Sequence, residues 1–89
     1  MPEKRVTVAS KVGLHARPAA LVAKAAAAQP VAVRIAKAGG EPVAAGSVLN
    51  LMTLAAAFGD EVVISAEGEG AEAAVDAVAK LVSTDLDTP

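Results

Sequence analysis

The sequence holds a single histidine, His15, in the segment Gly13-Leu14-His15-Ala16-Arg17-Pro18. Downstream, Ala19, Val22, Ala23 and Ala26 recur at the spacing of an amphipathic helix, so a helix is expected over Ala16 to Ala28, with Pro18 in its first turn. His15 then stands where a loop enters a helix. Helix N-caps favour Ser, Thr, Asp and Asn, whose short side chains accept a backbone N–H; an imidazole there points to a task other than capping. The unpaired N–H groups of a first turn and the positive end of the helix dipole favour an anion, by about 0.3–1 kcal/mol when exposed. The same positive end disfavours an imidazolium, so His15 is expected to be neutral near pH 7 with a ring lone pair free to act as a nucleophile. Arg17 brings planar donors that match phosphate oxygens, Gly13 allows a close backbone approach, and Ala16 belongs to the same first turn. Together these residues can form a small phosphate nest. Residue chemistry alone leaves open the plainer reading of an exposed loop histidine beside a solvated arginine.

The elements that must position this segment are legible as periodic patterns. Arg5 to Val8 alternates, with Val6 and Val8 on one side, as in a half-buried strand. After the first helix, Pro30 marks the exit, and Val31, Val33 and Ile35 alternate with Ala32, Arg34 and Ala36 in a second strand. Gly39 and Gly40 supply a turn, which makes Glu41 to Ala45 the hairpin partner. Ser47 can cap a second helix in which Leu51, Leu54, Ala55 and Phe58 form the apolar stripe and Gly59 the stop. Glu61 to Glu67 reads as the last strand, with Val62, Ile64 and Ala66 on one side. Ala71, Ala74, Val75, Val78 and Val82 line a third helix, with Asp76 and Lys80 paired on its outer side and a frayed tail from Thr84. The order strand, helix, strand, strand, helix, strand, helix (βαββαβα), with one apolar stripe per helix, predicts an α+β open-faced sandwich in a single domain.

Composition narrows the function. Over 89 residues the chain is 54% hydrophobic with one aromatic residue, so its core is built from Val, Leu, Ile and Ala, and base stacking is a poor reading. A net charge of −2 gives no global attraction to nucleic acid. Cysteine is absent, which removes disulfides, thiolate metal sites and a metal-chaperone role. A charged N-terminus followed by alternation shows neither signal peptide nor membrane span, so the cytoplasm is the expected location.

Gly13-Leu14-His15-Ala16-Arg17-Pro18-Ala19 resembles the active-site segment of the HPr family, the histidine-containing phosphocarriers of the phosphoenolpyruvate-dependent sugar phosphotransferase system. Ser47-Val48-Leu49-Asn50-Leu51-Met52-Thr53-Leu54 is similar to that family's helix after its regulatory serine, and the chain has the family's length and element order. The resemblance implies a four-stranded antiparallel sheet with three helices on one face, no metal and no cofactor. It further implies that His15 is phosphorylated on Nδ1 by phosphorylated enzyme I, that Arg17 assists, and that the phosphoryl group passes to IIA domains of sugar permeases. A carrier of this kind is a monomer that transfers a group and is not itself an enzyme.

Such a carrier needs a docking face. Arg17, Ala20 and Lys24 share the side of the first helix away from its core stripe, and Leu49 and Met52 lie off the stripe of the second. The resemblance places Val48, Leu49 and Met52 on the partner-binding face; residue patterning alone also allows Leu49 and Met52 to widen the core stripe. Ser47 occupies the place of the serine that, in some members, a kinase phosphorylates to recruit a transcription regulator, but serine is also a preferred N-cap, and Gly46 stands where a basic residue is frequent. Two other readings share the element order: a small ferredoxin-like ligand-binding module, which needs no reactive histidine, and an HPr-like carrier in a regulatory, nitrogen-related phosphotransferase branch.

Overall fold

Glu61–Ala66 is the longest strand among the described residues and buries four of its six residues, which fits a place inside the sheet. In the computed structural model, which describes residues 2–9, 16–54 and 56–84, the elements are β1 Glu3–Thr7, α1 Ala16–Ala27, β2 Val33–Lys37, β3 Val43–Ala44, α2 Val48–Leu54, β4 Glu61–Ala66 and α3 Ala71–Val82. They form one four-stranded sheet of order β1-β4-β2-β3, and every pairing is antiparallel. β4 lies between β1 and β2: Ile64 stands opposite Lys4 on one side and Ile35 on the other. Because both outer neighbours run against β4, β1 and β2 run parallel to each other, and the connection between them has to cross over the sheet. α1 makes that crossing.

The three helices cover one face of the sheet. Val62, Ile64 and Ala66 of β4 and Val33 and Ile35 of β2 join Ala19, Val22, Ala23 and Ala26 of α1, Leu51 of α2, and Ala71, Ala74, Val75, Val78, Ala79 and Val82 of α3 in one core cluster. So many alanines let helix backbones approach closely; the long side chains are concentrated at Ile35, Leu51 and Ile64, all fully buried. On the other face, Arg34, Ala36, Val63 and Ser65 stand outside this cluster.

Three expectations need correction. Phe58 is not part of a helical stripe: the helix ends at Leu54, and Phe58 lies in the turn before β4, 60% exposed. The turn is closed by backbone bonds from Gly59 N–H to the Val8 carbonyl at 3.0 Å and from Asp60 N–H to the Ala57 carbonyl at 3.0 Å. Gly59, at φ +87°, supplies the left-handed residue it requires. The carboxylate of Asp76 reaches Lys4 of β1 at 3.6 Å, pairing across elements instead of along α3 to Lys80. The hairpin partner is only two residues long and ends before Ala45, although the Ala45 N–H still bonds the Val33 carbonyl at 2.9 Å. The stop at Gly40, whose N–H bonds the Lys37 carbonyl at 2.7 Å, and Pro42 with no N–H to donate leave little backbone for a longer ladder.

α2 has only seven residues and depends on its cap. The Asn50 N–H donates to Ser47 Oγ at 3.3 Å, and the Leu51 N–H donates to the Ser47 carbonyl at 3.0 Å, the arrangement of an N-cap serine. Replacing Ser47 by Ala should lower stability by about 0.5–1 kcal/mol in chemical denaturation. Ile64→Ala, which empties the centre of the core, should cost about 2–5 kcal/mol by the same measurement.

Candidate functional site

α1 starts at Ala16, the residue that follows His15 in the chain. His15, Leu14 and Gly13 lie outside the described residues; the structure describes the helix that follows them and the elements packed against it. Pro18, in the first turn, is among the fully buried side chains; lacking an N–H, it leaves no donor unpaired there and fastens the turn to the core. Arg17 beside it is exposed. The helix buries Ala19, Val22, Ala23 and Ala26 and turns Arg17, Ala20, Leu21 and Lys24 to solvent, an i, i+3, i+4, i+7 set on one side. Its C-terminal end is closed by the Ala28 N–H to the Lys24 carbonyl at 3.1 Å and by Gln29 Nε2 to the Ala25 carbonyl at 3.1 Å.

α1 packs against α2, and α2 turns most of its apolar side chains outward. Leu51 is its one fully buried residue, Leu54 packs at the edge of the core, and Leu49 is 74% exposed with Val48 at 38% and Met52 at 37%. An exposed leucine alone is ordinary; three large apolar side chains on one short helix form a patch. Neither α1 nor α2 carries an acidic residue, and the charged side chains of α1 are the exposed cations Arg17 and Lys24. The carboxylates of the described residues belong to β1, β4, α3 and the loops beside them, with Glu41 in the β2–β3 turn.

Two further apolar residues, Leu21 and Phe58, are exposed without having been expected at the surface. Leu21, 39% exposed, sits four residues after Arg17 and three before Lys24, a spacing from which its position was readable. Phe58 had no such signal, because its spacing from Leu51 and Leu54 fits a helix that stops earlier. Ser47 is half-buried and engaged as the cap described above.

Among the described residues no three His, Cys, Asp or Glu side chains converge in a metal-binding group. No described helix is long and apolar enough to cross a membrane. A cavity of about 180 Å³ lined by Ala32, Arg34, Ser65, Ala66 and Glu67 draws Arg34 and Ser65 from the uncovered sheet face, on the side opposite the helices.

Comparison with known proteins agrees with this architecture. Residues 2–84 match the family described as the PTS HPr component phosphorylation site. The chain is 49% identical to the phosphocarrier protein HPr of Streptomyces coelicolor, over 98% of this chain and 94% of that one. It is 35% identical to the phosphocarrier protein NPr of Shewanella violacea, over 96% of this chain and 92% of that one. The crystal structure of HPr from Thermoanaerobacter tengcongensis superimposes with a TM-score of 0.89 at 32% identity, covering 100% of this chain and 99% of that one. A four-stranded antiparallel sheet under three helices and near-complete sequence matches lead to one conclusion: the chain belongs to the HPr family of phosphocarrier proteins.

Proposed function

We propose that this chain is a single-domain phosphoryl carrier of the sugar phosphotransferase system, taking a phosphoryl group on His15 from phosphorylated enzyme I and handing it to IIA domains. The observation that carries the reading is the platform that follows His15 in the chain: a helix opening one residue later, whose exposed charges are the cations Arg17 and Lys24, packed against a short helix that exposes Val48, Leu49 and Met52. In the transfer, the Nδ1 lone pair of a neutral imidazole attacks phosphorus, and a P–N bond forms as the donor's bond to phosphorus breaks. The second transfer runs the same chemistry with His15 as the leaving group. Arg17 would balance charge on the equatorial oxygens, and the backbone at Gly13 and Ala16 would bind the phosphate. No cofactor or metal takes part, and the chain lowers the barrier only in company with its partner, which makes it a carrier and not an enzyme.

Ala20, Lys24, Val48, Leu49 and Met52 are proposed as the docking face, an apolar centre with a basic rim suited to partner grooves edged by carboxylates. Its natural setting would be the cytoplasm, as a monomer. Ser47 as a target of a regulatory kinase has less support, since its Oγ already accepts the Asn50 N–H at 3.3 Å and Gly46 precedes it. The likeness to NPr favours one second reading, the same carrier chemistry in a nitrogen-related branch with other donors and acceptors.

Incubation with phosphoenolpyruvate and enzyme I should add one phosphoryl group, labile in acid and stable in base, as read by intact mass. His15→Ala should take none and keep its unfolding midpoint. Arg17→Ala should slow transfer about a hundredfold without abolishing it. Full transfer by His15→Ala, or no transfer by the wild type with sugar-branch enzyme I, would move the assignment to another residue or another branch. Leu49→Ala should raise KM for the carrier several-fold in the same assay while stability stays within about 0.5 kcal/mol, because the side chain is exposed.

A further inference from the structure

Ser65 is the one buried polar side chain among the described residues, 8% exposed, although it stands on the sheet face that no helix covers. Buried hydroxyls are hydrogen-bonded as a rule, yet no hydrogen bond among the described residues engages its Oγ. The residue lines the cavity of about 180 Å³ that also takes in Ala32, Arg34, Ala66 and Glu67. The ladder between β2 and β4 ends at Val33 opposite Ala66, and the next residues out, Ala32 and Glu67, line the cavity without pairing. The cavity is therefore the open end of a strand pair, with an unpartnered hydroxyl in its wall.

Two opposite charges line the same space. Arg34 stands directly opposite Ser65, and Glu67 follows two residues after Ser65, a diagonal position that a long side chain can reach. Arg5, on the same face, has a comparable relation to β4: it stands opposite Val63 and pairs with Glu61 at 3.2 Å. Arg34 and Glu67 form no such pair; the ion pairs among the described residues are Lys4 with Asp76, Arg5 with Glu61 and Lys37 with Asp60. A cation and a carboxylate thus share one small cavity without neutralising each other. A simple anion would be drawn by Arg34 and repelled by Glu67, whereas a molecule carrying both signs of charge complements both. The volume lies below the roughly 300–1,000 Å³ of pockets for drug-sized ligands, so the occupant is small.

We propose that this cavity binds a small zwitterion of the α-amino acid class, its carboxylate held by the Arg34 guanidinium and the Ser65 hydroxyl and its ammonium by the Glu67 carboxylate. The site does not depend on the carrier function proposed above. A ligand there lies on the face away from the helices and leaves α1 and α2 clear.

Amide proton–nitrogen NMR spectra of the full chain, titrated with each common L-amino acid in turn, test it. At least one amino acid should shift the amides of Ala32, Arg34, Ser65, Ala66 and Glu67 saturably, with half-saturation at about 1 mM or below. Acetate and methylammonium, each carrying one of the two charges, should bind about tenfold more weakly or worse. Arg34→Gln and Ser65→Ala should each weaken the amino acid about tenfold, and Glu67→Gln should remove its advantage over acetate. All three variants should keep the wild-type unfolding midpoint, since none of these side chains makes a bond within the described fold. No saturable shift with any amino acid would overturn the site. Acetate binding to the wild type as tightly as the amino acid would reduce it to a simple anion site and overturn the zwitterion. Saturable shifts that Arg34→Gln leaves unchanged would put the ligand elsewhere and overturn the proposal.

Discussion

The insertion of β4 between β1 and β2 is the constraint on which the rest of the structure depends. A strand hydrogen-bonded on both sides loses all of its backbone groups to the sheet, and Val62, Ile64 and Ala66 then present a continuous apolar row to whatever lies above. That row is covered by the helices, because the other strands of the sheet lie beside it and not above it. The parallel relation that β4 imposes on β1 and β2 also forces α1 to cross the sheet, which brings the first turn of α1 to the edge of the core.

The composition of the core follows from the same geometry. Three helices on a four-stranded sheet crowd each other, and alanine at Ala19, Ala23, Ala26, Ala74 and Ala79 lets them approach without voids. Large side chains are then few, and each matters: Ile35 and Ile64 face each other across the strand pair, and Leu51 is the sole fully buried residue of α2. A seven-residue helix held by one leucine, one edge leucine and a serine cap has apolar residues to spare. Their exposure, on a helix packed against one whose charges are Arg17 and Lys24, is what the proposed docking face rests on.

Much of this was readable from the chain. All seven elements and their order appear in the periodicity of apolar residues, and the ends of α1, α2 and α3 carry their punctuation in Pro30, Ser47 and Gly70. The orientation of Arg17, Ala20 and Lys24 was also readable, since a helix places i, i+3 and i+7 on one side whatever it packs against. Phe58 was not. Its spacing from Leu51 and Leu54 satisfies a helical stripe, and only the hydrogen bond from Gly59 to Val8, a partner far away in sequence, shows why the chain turns earlier. Asp76 was misread for a related reason: pairing along the helix with Lys80 was the local possibility, and Lys4 on a strand distant in sequence comes closer.

By itself the sequence determined what depends on near neighbours: the type and order of the elements, the cap on α2, the lone histidine at a loop before a helix, and the family to which the residues around it belong. These are set by repeat spacing, turn chemistry and residue type, all of which act over a few residues. Tertiary structure alone decided the strand order β1-β4-β2-β3, the exposure of Leu49 and Phe58, and the cross-element ion pairs. Each of these is a competition among distant segments for the same backbone partners and the same buried volume, and no local pattern records which of them wins.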